Sequence, residues 1–173
     1  RRVLDVRYST FGGENFQFQF HPYYLKQYNN RWFVFGLNES TKTSSWNLPL
    51  DRIVELTESP KDYVANETDW EEYFYDIVGV TKPEASEIVE VVLRFTEEQA
   101  PYVITKPIHP SQKSPIYNND GTVDIKISVI INYELRRDIL GFGNSVTVVS
   151  PNSLRESIYK IHTDAASIYK GSL

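Results

Sequence analysis

The sequence predicts an α+β chain in two parts, with strands alone in the first third and strands alternating with helices in the second half. Three observations predict it. Residues 1–57 alternate apolar and polar positions between Gly and Asn turns. Residues 58–79 carry seven Asp/Glu against one Lys, an acidic connector. After residue 80, capping residues and helical spacing appear between the apolar runs.

The elements follow in order. Leu4, Val6 and Tyr8 alternate with Asp5 and Arg7, and Phe16, Phe18 and Phe20 alternate with Gln17, Gln19 and His21. Gly12-Gly13 marks the turn between these strands and Asn29-Asn30 the next one. RWFVFGL is apolar on both faces, as a central strand would be, and WNLPL and RIVEL complete a set of about five strands. So many short strands in so little chain predict a small, strongly bent barrel, because closure removes exposed edges. Pro49 must then sit at an edge or a bulge, since it cannot donate to a ladder. DWEEYFYDIVGV predicts a short helix over 69–78 ended by Gly79, and TKPEAS reads as a linker.

EIVEVVLRF is the next strand, with Val89, Val91, Leu93 and Phe95 on one face. Thr96 and Gln99 have the spacing of a capping box, and Pro101 should kink or delay the helix they open. SPIY and TVDIKISVIIN flank Asn119-Asp120-Gly121, a hairpin signal. NYELRRDILGFG is a helix opened by Asn132 and closed by Gly141, and SVTVV is the last strand. Ser150-Pro151 opens a final helix in which Leu154, Ile158, Ile161, Ala165 and Ile168 keep helical spacing. The order β-α-β-β-α-β plus a helix predicts a ferredoxin-like split βαβ domain. The expected domains are 1–79 and 80–173.

Composition removes several functions. The chain has no Cys, which excludes disulfides, zinc–thiolate sites and cysteine nucleophiles and fits a reducing cytoplasm. His21, His109 and His162 have no metal-ligand spacing, so no metal and no cofactor are expected. No Gly-rich phosphate loop or nucleophile elbow is present. No apolar run reaches the ~18 residues of a spanning helix, so no membrane partner is expected. The chain starts at Arg1 rather than Met and reads as cut from something longer. Net charge is −5, yet residues 1–57 hold seven Lys/Arg against five Asp/Glu and are locally basic.

Several motifs together carry a family resemblance. RWFVFG at 31–36 resembles the Trp-Tyr-Leu signature of the WYL-domain family, with Phe33-Val34 in place of Tyr-Leu. HPYYLK before it and LDRI at 50–53 after it extend the resemblance. QAPYVITKPIHPSQK and LRRDILGFGNSVTVVSPNSLRESI resemble the C-terminal extension joined to such domains. The resemblance implies an Sm-like, SH3-type barrel that senses a nucleic acid or nucleotide-like ligand in a bacterial transcription regulator. Promoter DNA would be read only through a helix-turn-helix, which is absent from this chain. It also implies a cytoplasmic homodimer rather than an enzyme. The alternatives are a pure dimerisation module and, less favoured, a small hydrolytic enzyme using His21 near Asp51.

Within that reading, the stretch 21–35 interleaves six aromatic rings with His21, Lys26 and Arg31. Strand alternation divides such a run between core and surface. Trp32, Val34 and Phe35 are expected in the core, and Tyr24, near a turn, is expected to be exposed. A hairpin of 21–28 and 31–37 beside LDRI would set His21, Tyr24, Lys26, Arg31 and Arg52 on one rim. Arg52 would either bind phosphate or pair with Asp51 or Asp5. Lys106 and His109, in KPIHPSQK, are either a Pro-rich surface loop or a second basic lip over the ligand.

Overall fold

A computed structural model describes residues 1–171, so the last two positions of the expected 80–173 domain lie outside the described residues. The chain is mixed α+β, with two antiparallel sheets and a C-terminal helix. It divides into two compact units within a short helix, one over Arg1–Tyr73 and one from Phe74 onward.

The first unit holds β1 (Val3–Ser9), β2 (Asn15–Tyr28), β3 (Arg31–Asn38), β4 (Thr43–Pro49) and β5 (Ile53–Ser59). Asn29 and Asn30 both take positive φ, 49° and 60°, which is the left-handed geometry a two-residue hairpin needs. The sheet order is β4-β3-β2-β1-β5. It does not close into the expected barrel, because β5 leaves β4 through a 3₁₀ turn at Leu50–Arg52 and pairs with β1 instead. The two edges are blunted locally. β4 ends on Pro49, and β5 carries Glu55 and Glu58, paired with Arg7 and Arg2.

One face of this sheet packs a core of Val6, Phe18, Phe20, Val34 and Leu48. The register of β2 shifts between Pro22 and Tyr24, opposite Gly36. A Cβ on Gly36 would lie 2.1 Å from the His21 carbonyl oxygen and 2.7 Å from Phe20 Cζ, so only glycine lets the strands meet there. Residues 60–69 then cross the sheet without regular structure and lead into α1 (Trp70–Tyr75), where Trp70 is buried.

In the second unit β6 (Val89–Phe95), β7 (Ile116–Tyr117), β8 (Val123–Val129) and β9 (Val146–Ser150) form a sheet in the order β7-β8-β6-β9. Every second residue of β8 is buried, as the alternation predicts. The helix after β6, α2, spans only Ala100–Thr105. Thr96 Oγ1 accepts from Gln99 N–H at 3.3 Å, but Pro101 holds the helix proper back by a turn. Asn132 caps α3 (Tyr133–Gly141), its side chain accepting from Leu135 N–H at 2.9 Å. Of the apolar face expected on α4 (Asn152–Lys170), Leu154 and Ile158 are buried while Ile161 and Ile168 are exposed.

Candidate ligand site

The β2–β3 register decides which side chains share a face. Tyr24, Lys26 and Tyr28 stand opposite Phe35, Phe33 and Arg31, and side chains directly opposite share one face. Leu25 and Gln27 stand opposite Val34 and Trp32 and occupy the other.

Trp32 is not the core residue expected. It is 47% exposed, because it lies near the start of β3, before the pairing with β4 begins at Phe33. Val34 and Phe35 are buried, on opposite faces. Phe35 is covered by α1, with the rings of Trp70 and Tyr73 at 5.5 and 6.3 Å. Tyr24 keeps partial exposure but stacks on Trp70, centroids 5.6 Å apart and planes 17° apart, so one of its faces is already used. Lys26 is half-buried, and burial lowers its pKa.

His21 does not reach the rim either, being fully buried. Its Nδ1 accepts from Val64 N–H at 3.0 Å, so the ring proton resides on Nε2, which donates to Glu39 Oε1 at 2.9 Å. Tyr63 packs beside it and donates to the Pro22 carbonyl at 2.8 Å. His21 therefore fastens the connector to the sheet. Glu39 also receives Lys42 and, at 3.4 Å, Lys61. The Lys42 bond, followed by those from His21 and Lys61, holds the Glu39 carboxyl down at about 2. The His21–Asp51 pair needed by a hydrolytic reading is absent, since Asp51 binds Arg31.

The two remaining cations do come together. Arg52 Cζ lies 3.6 Å from the centroid of the Phe11 ring, and Arg31 Cζ lies 5.9 Å from it. Phe11 is 79% exposed at the tip of the β1–β2 turn, where Thr10 N–H bonds the Glu14 carbonyl and Gly13 takes a φ of 80°. Arg31 Nη2 is 3.3 Å from Asp51. Arg52 forms no ion pair with Asp51 or Asp5. Its Nη1 donates to the Tyr8 hydroxyl at 3.2 Å, and its buried Nε has no hydrogen-bond partner. The result is a guanidinium pressed on an aromatic ring, with a second guanidinium nearby. Such forks suit phosphate and carboxylate oxygens.

Lys106 and His109 belong to the second unit. His109 is buried there, its Nδ1 2.7 Å from Ser111 Oγ and its ring 5.9 Å from Tyr75. Burial lowers its pKa, and it cannot form an exposed lip. Lys106 is exposed beside a groove of about 610 Å³ that Tyr102 and Arg137 also line. Among the described residues, no three His, Asp or Glu come close enough to hold a metal ion, and no helix is long and apolar enough to cross a membrane.

Sequence reasoning missed Phe11 and Tyr8. The only local signal for Phe11 is a large ring placed directly before Gly12-Gly13, a position where turns favour small or polar residues.

Residues 1–58 match the family model of the WYL domain and residues 87–166 that of the WCX domain. Among solved structures, the chain is similar to proteasome accessory factor B/C (PafBC) of Arthrobacter aurescens, at 20% identity over 91% of this chain and 23% of that one, with a TM-score of 0.35. It is also similar to a CRISPR Cas-related protein, at 13% identity over 99% of this chain and 48% of that one, with a TM-score of 0.58. The second likeness is one of fold. The chain spans no more than about half the length of either structure. No curated protein matches it.

Proposed function

We propose, from the premise that this chain belongs to the WYL-domain family, that it is the effector-sensing region of a transcription regulator. The effector is an anion of the nucleotide or single-stranded nucleic acid class, held by Arg31, Arg52 and Phe11. The observation that carries this reading is the convergence of both guanidiniums on one exposed ring. Phosphate oxygens meet the arginines, and the free side of Phe11 offers a base a stacking surface, which elsewhere is worth about 1–3 kcal/mol. Lys26, on the same strand face as Arg31, adds positive charge beside them. Tyr24 borders this face, whereas His21 supports the sheet behind it.

The finer architecture belongs to this proposal. The order β4-β3-β2-β1-β5 with a 3₁₀ turn before the last strand supports an open form of an SH3-type, Sm-like barrel. The order β7-β8-β6-β9, with α2 and α3 in the connections, supports a ferredoxin-like extension. We assign sensing to residues 1–79 and homodimerisation to 80–173, the latter favoured by exposed Ile161, Ile168 and Tyr169 on α4. The regulator works in the cytoplasm and carries no catalytic role.

The test is fluorescence anisotropy of a short labelled single-stranded oligonucleotide titrated with the chain across a salt series. Binding should weaken as salt rises, and each of Arg31→Gln and Arg52→Gln should lower the salt slope by about one. Lys113→Gln, which removes a cation paired with Glu90 in the other unit, should change nothing. Unaltered affinity and slope in the double arginine variant would refute the site.

A further inference from the structure

The first unit also contains a cavity of about 360 Å³. Its walls are the rings of Tyr8, Phe16, Phe18 and Trp46, and Asn38 and Ser40 supply polar groups at its side. That composition, mostly aromatic with a few polar groups, is the composition of a small-molecule pocket. Phe16 and Trp46 leave 49% and 36% of their surface to water inside a recess. Ring surface left wet in a concave site is surface that a ligand can cover.

The polar groups specify the ligand further. Asn38 is almost wholly buried, and its Oδ1 accepts from Ser40 N–H at 2.9 Å. Its amide donors, like the Trp46 indole N–H, have no partner among the described residues. Donors without partners beside an aromatic wall suit a flat ring with carbonyl or nitrogen acceptors on its edge. One side chain is shared by the cavity and the anion site. Tyr8 lines the cavity, and the Tyr8 hydroxyl accepts the bond from Arg52 Nη1. A ring seated in the cavity therefore packs against the same Tyr8 that the Arg52 guanidinium bonds.

We infer that this cavity receives the heteroaromatic base of a single pyrimidine nucleotide, with its phosphate directed to Arg52. The inference rests on the anion-site reading only for that phosphate. The volume holds one ring system with its sugar, whereas a docking helix or strand needs an elongated groove. It makes the site a reader of one base rather than a track for a long strand.

The experiment titrates the whole chain with uridine, uridine 5′-monophosphate and ribose 5-phosphate, following heat of binding and tryptophan emission. Trp46→Leu keeps an apolar wall at a partly exposed position and removes the stacking ring. Arg52→Gln removes the charge. Uridine 5′-monophosphate should bind at least tenfold more tightly than either fragment and lose at least tenfold in each variant. Uridine should be sensitive to Trp46→Leu alone, and ribose 5-phosphate to Arg52→Gln alone. If the monophosphate binds no better than ribose 5-phosphate, or Trp46→Leu binds it like the wild type, the base pocket is overturned while the anion site stands. If Arg52→Gln leaves the monophosphate and ribose 5-phosphate unchanged but Trp46→Leu abolishes uridine binding, the anion site falls and the pocket stands.

Discussion

Replacing Phe35 and Trp32 separately by alanine tests how the aromatic run divides between faces. Phe35 is fully buried between its sheet and α1, in contact with the Trp70 and Tyr73 rings. Removing its ring deletes apolar burial and leaves a cavity that the paired strands cannot fill, so Phe35→Ala should cost about 3–5 kcal/mol. Trp32 is 47% exposed, so only about half of a large side chain's transfer energy is at stake and no closed cavity forms. Trp32→Ala should cost about 1–1.5 kcal/mol. All three tryptophans, Trp32, Trp46 and Trp70, lie in the first unit, so tryptophan emission during urea unfolding reports on that unit alone. With a urea dependence of about 1–3 kcal/mol per molar, Phe35→Ala should move the midpoint by about 1–5 M and Trp32→Ala by about a third as much, about 0.3–1.5 M. Equal losses in the two variants would mean that the strand faces have been assigned wrongly.

Two further outcomes follow from the same unit. Gly36→Ala should cost about 3 kcal/mol or more in the same assay, because its Cβ would press on the His21 carbonyl at 2.1 Å and on Phe20; a melt like the wild type's would show that the strands can part there. Glu39, held at about 2 by Lys42, His21 and Lys61, contributes stability that is complete above its unfolded value near ~4.3 and lost as pH falls through about 2. Glu39→Gln should thus melt earlier than wild type at pH 7, with the gap closing between about pH 4.5 and 2; a gap independent of pH would remove the carboxylate from the account.

How much of this could be read in the chain itself depends on the distance over which each cause acts. The turns were legible because their cause is local. Gly13, Asn29, Asn30 and Gly121 all sit at positive φ, and only a few residue types tolerate that. Strand alternation was equally local. Grouping Trp32 with Phe35 against Tyr24 and Lys26 is nevertheless overturned by the register, which sets Phe35 opposite Tyr24 on one face and Trp32 with Val34 on the other. Alternation could not place Trp32, because parity says which face a residue takes and not whether that face is covered at that point along the strand. Trp32 and Val34 share a face, yet the core ends between them, while Phe35 on the other face is covered by Trp70, far along the chain. His21 shows the same limit. Its charge marked it for a rim, but Val64 and Tyr63, more than forty positions away, turn it into an anchor. Arg52 was legible as a candidate ligand residue, but its surroundings were not. Only the pairing of β1 with β5 sets it against Tyr8 and the Phe11 ring. The rings of the 21–35 stretch thus divide between core and surface according to what covers each face along the strand, and not by alternation alone. The cations that count as a site are those which long-range strand pairing leaves with an open aromatic neighbour.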